Sequence, residues 1–366
     1  MKEKNKVQKS FDIMNYFSAI RIFVAILISL LLVFVIIFFV SEDPMAAISK
    51  MMLGPLQSKR SFFNVLERAV PLIFTALALN ISLRSGVFNI GSDGSFYMGA
   101  VIGAAVGLKL NLPNILHQML AVVAAGMVGG FINMLPVIIE RYTGIRATVL
   151  SIMFNSIFFY VGLSVVSSYL LENSGSWGSE PFPATAKFGN MIKGTSMHWG
   201  FLILIAAIVF IVLLMEKSSF GYKVRVTGIN PNFARSAGIK TGAVVLGAQF
   251  IGGSVAGVGG AVEMLGMYKR FQWQTQVNYV WDGLLVHMLA NQNPLFIPLT
   301  AFFIAYLRIG AEIMSRSTDL DPEVVAFLQG IVILLVASEK FLYPIKKRHE
   351  QKLALAEAES ASAKEG

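Results

Sequence analysis

A set of polar and ionisable side chains stands inside otherwise apolar stretches of this chain: Glu67, Asn80, Asn89, Asp93, Asn133, Asn155, Gln249, Glu263, Asp282, His287 and Gln329. On insertion scales a carboxylate at the centre of a membrane helix costs roughly 2.5–3.5 kcal/mol, so such groups face a bundle interior or a cavity. There, a carboxylate or imidazole can hold a cation, relay a proton or hydrogen-bond a solute. An amide can do the last of these, or simply tie two helices together. Asn80, Asn89, Asp93, Asn155, Gln249, Glu263, Asp282 and His287 are therefore candidate lining for a transport path. Catalysis lacks its usual signs. The chain has no cysteine and only four histidines, which make no metal set, and it carries no phosphate loop, H-E-x-x-H or G-x-S-x-G motif. No catalytic residue and no metal site is assigned.

The most concentrated of these segments is SLRSGVFNIGSDGSFYMGA, residues 82–100. Gly86, Gly91 and Gly94 permit turns that other residues resist, and Ser92 and Asp93 read as N-cap residues for a run starting near Ser95. The expected picture is a helix ending near Arg84, an irregular link, and a new helix with a partly positive N-terminus. Irregular backbone at membrane depth is tolerated only where protein or water satisfies it. The segment is thus expected to be a broken helix beside a cavity or a mouth.

The elements that must position these groups are membrane spans. The 366 residues are 55% hydrophobic and 14% charged, with mean hydropathy +0.66, where soluble domains carry about 25% charge. Residues 22–40 contain no charge and one serine, enough helix to cross the ~30 Å hydrocarbon core. This run exceeds a signal-peptide core, so it is expected to be an uncleaved first span. Further apolar segments lie near 69–83, 95–110, 119–139, 147–171, 199–215, 241–260, 281–292, 295–311 and 323–337. The expected fold is an all-α polytopic bundle of about ten segments, some broken or re-entrant; 281–292 is too short to cross alone.

Charge sets the expected topology. Lys2, Lys4, Lys6 and Lys9 precede the first span, and Lys340, Lys346, Lys347 and Arg348 follow the last, which places both termini in the cytoplasm. The chain then divides into a basic tail (1–21), a transmembrane domain (22–338) and a C-terminal tail (339–366). Loop 172–198, rich in Gly, Ser and Pro, falls outside. Loop 216–240 falls inside, with five basic residues against one acidic. The net charge of +9 is a membrane-topology signal rather than a nucleic-acid footprint. G-x-x-x-G pairs (Gly99/Gly103, Gly103/Gly107, Gly126/Gly130, Gly253/Gly257) predict close helix packing. Asp93-Gly94 and Asp282-Gly283 each precede an apolar run, an internal echo of the kind transporters built from repeats carry.

The inside loop contains FGYKVRVTGINPNFARSAGI, residues 220–239. Asn230-Pro231 is a turn signal, a short helix can follow through Arg235, and Gly238 is placed to end it. Together with GVFNIGSDGSFYMGA, TVLSIMFN and VNYVWDGLLVHMLANQNP, in the same order over most of residues 64–340, this loop resembles the permease subunit of bacterial ABC importers for nucleosides and simple sugars. That group is related to the branched-chain amino acid and ribose permeases. The sequence departs from the group's pattern at Asp93-Gly94-Ser95 (usually Glu-Gly-Gln), Arg146-Ala147, Ser151, Trp281 and His287. If those positions line the pathway, they place the substrate rather than the family in question.

The resemblance implies a permease in the bacterial cytoplasmic (inner) membrane. It implies a second permease subunit, identical or not, a separate ABC ATPase that holds ATP and Mg, and an extracytoplasmic receptor, frequently a lipoprotein. The chain itself would bind no cofactor and catalyse nothing. Gly221, Arg225, Gly228, Asn230, Pro231, Ala234, Arg235 and Gly238 would couple it to the ATPase. A nucleoside is the expected solute; a simple sugar, a flavin-like heterocycle or an amino acid are the alternatives. From a different class, an ion-coupled secondary transporter would use Asp93, Glu263 or Asp282 as ion ligands and would have no need of the 220–239 loop.

Overall fold

The computed structural model describes residues 31–172, 177–321, 323–325, 327, 330 and 331. The basic N-terminal tail, the start of the first span, most of the last span with Gln329, and the C-terminal tail lie outside the described residues. Within them the chain is helical, with only two isolated antiparallel bridges, Leu171 with Ser179 and Asn190 with His198. The helices are α1 (described over Leu31–Val40), α2 (Pro44–Gln57), α3 (Lys59–Arg84), α4 (Ser92–Lys109), α5 (Asn114–Thr143) and α6 (Ala147–Val165, extended by a π-helical turn over Val166–Leu170). They continue as α7 (Gly200–Lys217), α8 (Ser219–Ile229), α9 (Pro231–Ser236), α10 (Thr241–Met267), α11 (Tyr279–Leu289) and α12 (Ile297–Ser317).

Among the described residues six helices are long and apolar enough to cross a membrane: α3, α5, α6 with its π turn, α7, α10 and α12. Of the ten expected segments, those at 22–40 and 323–337 lie partly outside the described residues; of the other eight, six are these spans and two, at α4 and α11, fall short. Helix α4 opens on Ser-Asp-Gly-Ser and is buried along its first half, so its hydropathy is diluted by polar residues that never meet lipid. Helix α11 has 11 residues, about 17 Å of rise against a ~30 Å core. Both short helices carry an aspartate in the first turn, Asp93 and Asp282, where the positive end of the helix favours it. That placement matches the sequence echo.

Among the described residues, those within 53–310 form one compact unit, and those within 31–52 together with those from 311 to 331 form another. In the second, Asp319 accepts from the Ser41 hydroxyl at 2.7 Å and the Glu42 backbone N–H at 2.7 Å. Those bonds, the Glu42 N–H first, hold its carboxyl below the ordinary aspartate range.

The larger unit is organised around α10, which packs on α3, α4 and α5. Its sequence explains how one helix serves three neighbours. Gly257 faces Gly99 of α4 and Ala125 and Gly129 of α5, and Gly260 lies against the Phe96 carbonyl. A Cβ on Gly257 or Gly260 would overlap neighbouring backbone, which cannot yield as a side chain can. Small residues three or four apart thus bring backbones into contact where no hydrophobic gradient drives association. Gly260→Ala should lower thermal stability in mild detergent by about 1–3 kcal/mol. Gly189→Ala, where the nearest atom to a new Cβ is the Trp199 ring at 4.0 Å, should leave it within about 0.5 kcal/mol.

Candidate functional site

The break between α3 and α4 is real, and every element around it contributes to holding it. Helix α3 stops as Gly86 takes φ +86°. The link to Ser92 then has no helical ladder of its own, and side chains supply one. Thr148 donates to the Phe88 carbonyl (2.7 Å), Ser151 accepts from the Ile90 N–H (3.2 Å), and Asn155 donates to the Ile90 carbonyl (3.0 Å). Asn155 also accepts from Gly94 N–H at 2.9 Å, and Asn89 accepts from Gly91 N–H at 2.8 Å. One correction concerns the cap. Helix α4 already includes Ser92 and Asp93, its N-cap is Gly91, and no side chain caps it. The glycine turn sets the helix start earlier than the Ser-Asp pair suggested.

Behind the link lies a buried amide cluster. Asn89 donates to Gln249 Oε1 (2.9 Å) and to the Asn133 carbonyl (2.8 Å); Asn133 donates to the Gln249 carbonyl (2.9 Å); Gln249 donates to Ser85 Oγ (3.2 Å). All four side chains are buried. The structure therefore brings Asn89, Asn155 and Gln249 together and commits their polar atoms to the break. Asn133, Ser85 and Ser151 complete the cluster without having been singled out as path residues. Because each member stabilises a partner that water cannot reach, Asn133→Leu should cost about 1–3 kcal/mol and lower the melting temperature more than Asn111→Leu on the surface.

The charged candidates lie elsewhere. Asp282 is held by Arg308 in a two-pronged ion pair at 2.5 and 2.6 Å that joins α11 to α12. Asn80 donates to the Gln292 carbonyl (2.7 Å) and sits 3.3 Å from His287 Nδ1, which fastens α3 to the end of α11. Glu67 of α3, Glu263 of α10 and Asp93 of α4 are buried, and each keeps one carboxylate oxygen without a hydrogen-bond partner among the described residues. Glu67 and Glu263 are close enough for their charges to act on one another, and Arg68 acts on both.

Beside these carboxylates is a group of rings that the sequence reading missed. Phe96 stacks on Trp273 (6.2 Å, 18°) and meets Tyr279 edge-on at 5.4 Å; Tyr97 contacts Phe159 at 4.9 Å and Phe271 at 6.0 Å. The Tyr97 hydroxyl has no partner among the described residues. Residues 179–188 cover this end of α10. Ser179, Phe182 and Phe188 donate backbone N–H groups to the carbonyls of Phe271, Lys269 and Leu265. The rings come from α4, α6, α11 and the α10–α11 link, which is why no single stretch announced them.

The opposite feature is the α8–α9 hairpin. Asn230 caps α9 by accepting from Asn232 and Phe233 N–H, both at 3.0 Å; Pro231 takes the first helical position, and Gly238 has φ +79°. The short helix expected from the sequence is therefore present. Ala234 is buried, while Ile229 and Phe233 are 85% and 61% exposed. The sequence profile described as the branched-chain amino acid transport system / permease component matches residues 61–337.

The chain belongs to that family.

Its relatives carry concordant descriptions. The permease is 27% identical over 315 residues to the glucose ABC transporter permease protein TsgB13 of Haloferax volcanii, covering 82% of each chain. It is 27% identical over 279 residues to the guanosine ABC transporter permease protein NupP of Bacillus subtilis, covering 75% of this chain and 80% of that one. It is 25% identical over 325 residues to the nucleoside ABC transporter permease protein NupB of Lactococcus lactis, covering 86% and 89%. The four motifs all fall within the matched region, so the resemblance read from them is borne out. This is a multi-pass membrane permease of the nucleoside and sugar ABC type.

Two glycines of the permease's 220–239 loop have an internal explanation. A Cβ on Gly221 would overlap Leu214 and Met215 of α7, and one on Gly228 would overlap the Arg84 carbonyl at the break. They close the corners of the hairpin. Arg225 leans toward Glu216 at 4.0 Å, while Glu216 pairs with Arg84 at 2.8 Å. The exposed face of the hairpin includes Ile229, Asn230, Pro231, Asn232, Phe233 and Arg235.

At the loop-covered end, His198 is 2% exposed, stacks on Phe188 (6.1 Å, 27°), and leaves both ring nitrogens without partners among the described residues. Burial, and after it the charge of Lys187, push its pKa down to about 4; burial and Lys269 lower that of Lys187. The folded value lies below the ordinary ~6.5, so the neutral imidazole's full contribution is present above pH 6.5. It is lost at roughly 1.4 kcal/mol per pH unit as pH falls toward the folded value. Melting temperatures of the purified permease should decline over that window, and His198→Gln should flatten the decline.

Proposed function

We propose that this permease carries nucleosides as the transmembrane subunit of an ATP-driven importer in the bacterial inner membrane. The observation that supports a nucleoside is the meeting of stacked rings with buried carboxylates, Glu263 with Glu67 toward the end of α10 and Asp93 in the first turn of α4. Aromatic faces suit a nucleobase, at about 1–3 kcal/mol per stacked base. The free oxygens on Glu67, Glu263 and Asp93 suit ribose hydroxyls, which a carboxylate accepts well. Two of the three relatives above are described by nucleoside substrates, which points the same way. The glucose description of the third supports a simple sugar as the second reading; a sugar would use the carboxylates but not the rings.

In this reading loop 172–198 faces an extracytoplasmic receptor, and the α8–α9 hairpin faces the ATPase chain, which binds ATP and Mg. A second permease subunit completes the path. Of the residues the resemblance assigns to coupling, Asn230, Pro231, Ala234 and Gly238 build α9, Arg235 presents charge, and Gly221, Arg225 and Gly228 position the hairpin on the bundle. ATP-driven closure pushes α9, and through Gly228 and Arg84 it reaches the break between α3 and α4. A bundle with two packings, biased by ATP, is what such coupling requires.

Uptake of radiolabelled guanosine and of glucose by cells expressing the complete transporter tests the reading. Trp273→Ala should weaken apparent nucleoside affinity by about 5- to 150-fold, from the loss of one stacking contact. Glu263→Gln should reduce uptake with surface expression unchanged. Glucose uptake that survives Trp273→Ala, with no guanosine uptake in wild type, would favour the sugar. Phe233→Ala with Arg235→Glu should abolish recovery of the ATPase chain on affinity purification.

A further inference from the structure

A separate cleft of about 380 Å³ opens between the end of α5, the α8–α9 hairpin and the start of α10. It lies beside the break, and its lining includes none of the rings and carboxylates described above. Its lining includes Glu140, Arg141, Thr227, Arg235, Thr241 and Gly242. Thr227 is 3% exposed, and its buried hydroxyl has no partner among the described residues. A buried hydroxyl left in that state is destabilised unless something supplies a hydrogen bond.

The charges around it point to one kind of occupant. Arg141 lies over the first turn of the 27-residue α10, donating from Nη2 to the Gly242 carbonyl at 2.6 Å. A Cβ on Gly242 would come within 2.8 Å of that guanidinium, so glycine makes room for it. Arg235 reaches the same turn through Nε, 3.4 Å from Thr241 Oγ1. Two guanidinium groups and two hydroxyls thus converge on a helix N-terminus, whose dipole favours an anion. Glu140 is the single carboxylate in the lining. It excludes a bare, highly charged anion and suits a hydroxyl on the ligand.

We propose that this cleft is a binding site for a phosphate ester that carries a hydroxyl-bearing group, with the phosphate on Arg141, Arg235 and Thr227 and the hydroxyl on Glu140. A nucleoside monophosphate and a phosphatidylglycerol headgroup share that chemistry. The cleft adjoins both Gly228 and Gly86, so its occupant bridges the hairpin and the break. Occupancy therefore stiffens the contact between them, and the inference is independent of which solute the permease carries.

The test uses the purified full-length permease in two settings. In detergent, melting temperature is followed against AMP and against inorganic phosphate. In nanodiscs, phosphatidylglycerol is compared with phosphatidylcholine. Each is repeated with Thr227→Val, which keeps the shape and removes the hydroxyl, and with Arg235→Ala. A saturable rise with AMP identifies a free phosphate ester, and a rise confined to phosphatidylglycerol nanodiscs identifies a lipid headgroup. In either case affinity should fall about tenfold in Thr227→Val, the loss of one hydrogen bond to a charged group. No rise with either probe, or a rise that both variants retain unchanged, would overturn the proposal. The variants' own unliganded melting temperatures separate misfolding from lost binding.

Discussion

A peptide group in the interior of a membrane bundle has no water to bond with, and this constraint governs the centre of the molecule. Between Ser85 and Gly91 the chain gives up helical geometry, and each freed N–H and carbonyl needs another partner. Thr148, Ser151 and Asn155 of α6 and Asn89 of the link itself provide them, and Asn133 of α5 and Gln249 of α10 in turn hold the Asn89 side chain. The cluster is costly to leave half-made, since an unsatisfied amide is then buried as well. It therefore acts as a unit, and α5, α6 and α10 are brought to the break by their side chains as much as by their apolar faces.

The glycines answer the same problem from the packing side. Without a hydrophobic gradient between helices, close approach must supply the attraction, and α10 achieves it with Gly253, Gly257 and Gly260. Gly228 repeats the device where α8 crosses the end of α3. In the proposed coupling, a push on the α8–α9 hairpin would reach the backbone of the break directly, because backbone and not a flexible side chain makes the contact. That arrangement is the physical basis for the coupling proposed above.

Much of this was legible in the sequence. The break at residues 85–91, the capped helix at 231–236 and the G-x-x-x-G contacts all follow from local rules of glycine, proline and capping. The start of α4 was misplaced because Ser and Asp cap helices and also occupy first turns, and only the backbone of Gly91 decides between the two. The fate of the amides was not legible. Asn89 and Gln249 are 160 residues apart, and an amide that lines a path looks the same in sequence as one that staples a loop. The rings were missed for a related reason. Phe96, Phe159, Trp273 and Tyr279 are unremarkable one by one in apolar surroundings, and they become a cluster only when α4, α6, α11 and the α10–α11 link converge.

Hydrogen–deuterium exchange of the purified permease, read on peptides covering residues 82–98, tests most directly the claim that side chains lock the break. The account predicts exchange as slow as that of α10, and faster exchange confined to this stretch when Gln249 is replaced by methionine. Rapid exchange in the wild type, at the rate of an ordinary loop, would contradict it. So would a Gln249→Met variant that leaves the stretch protected.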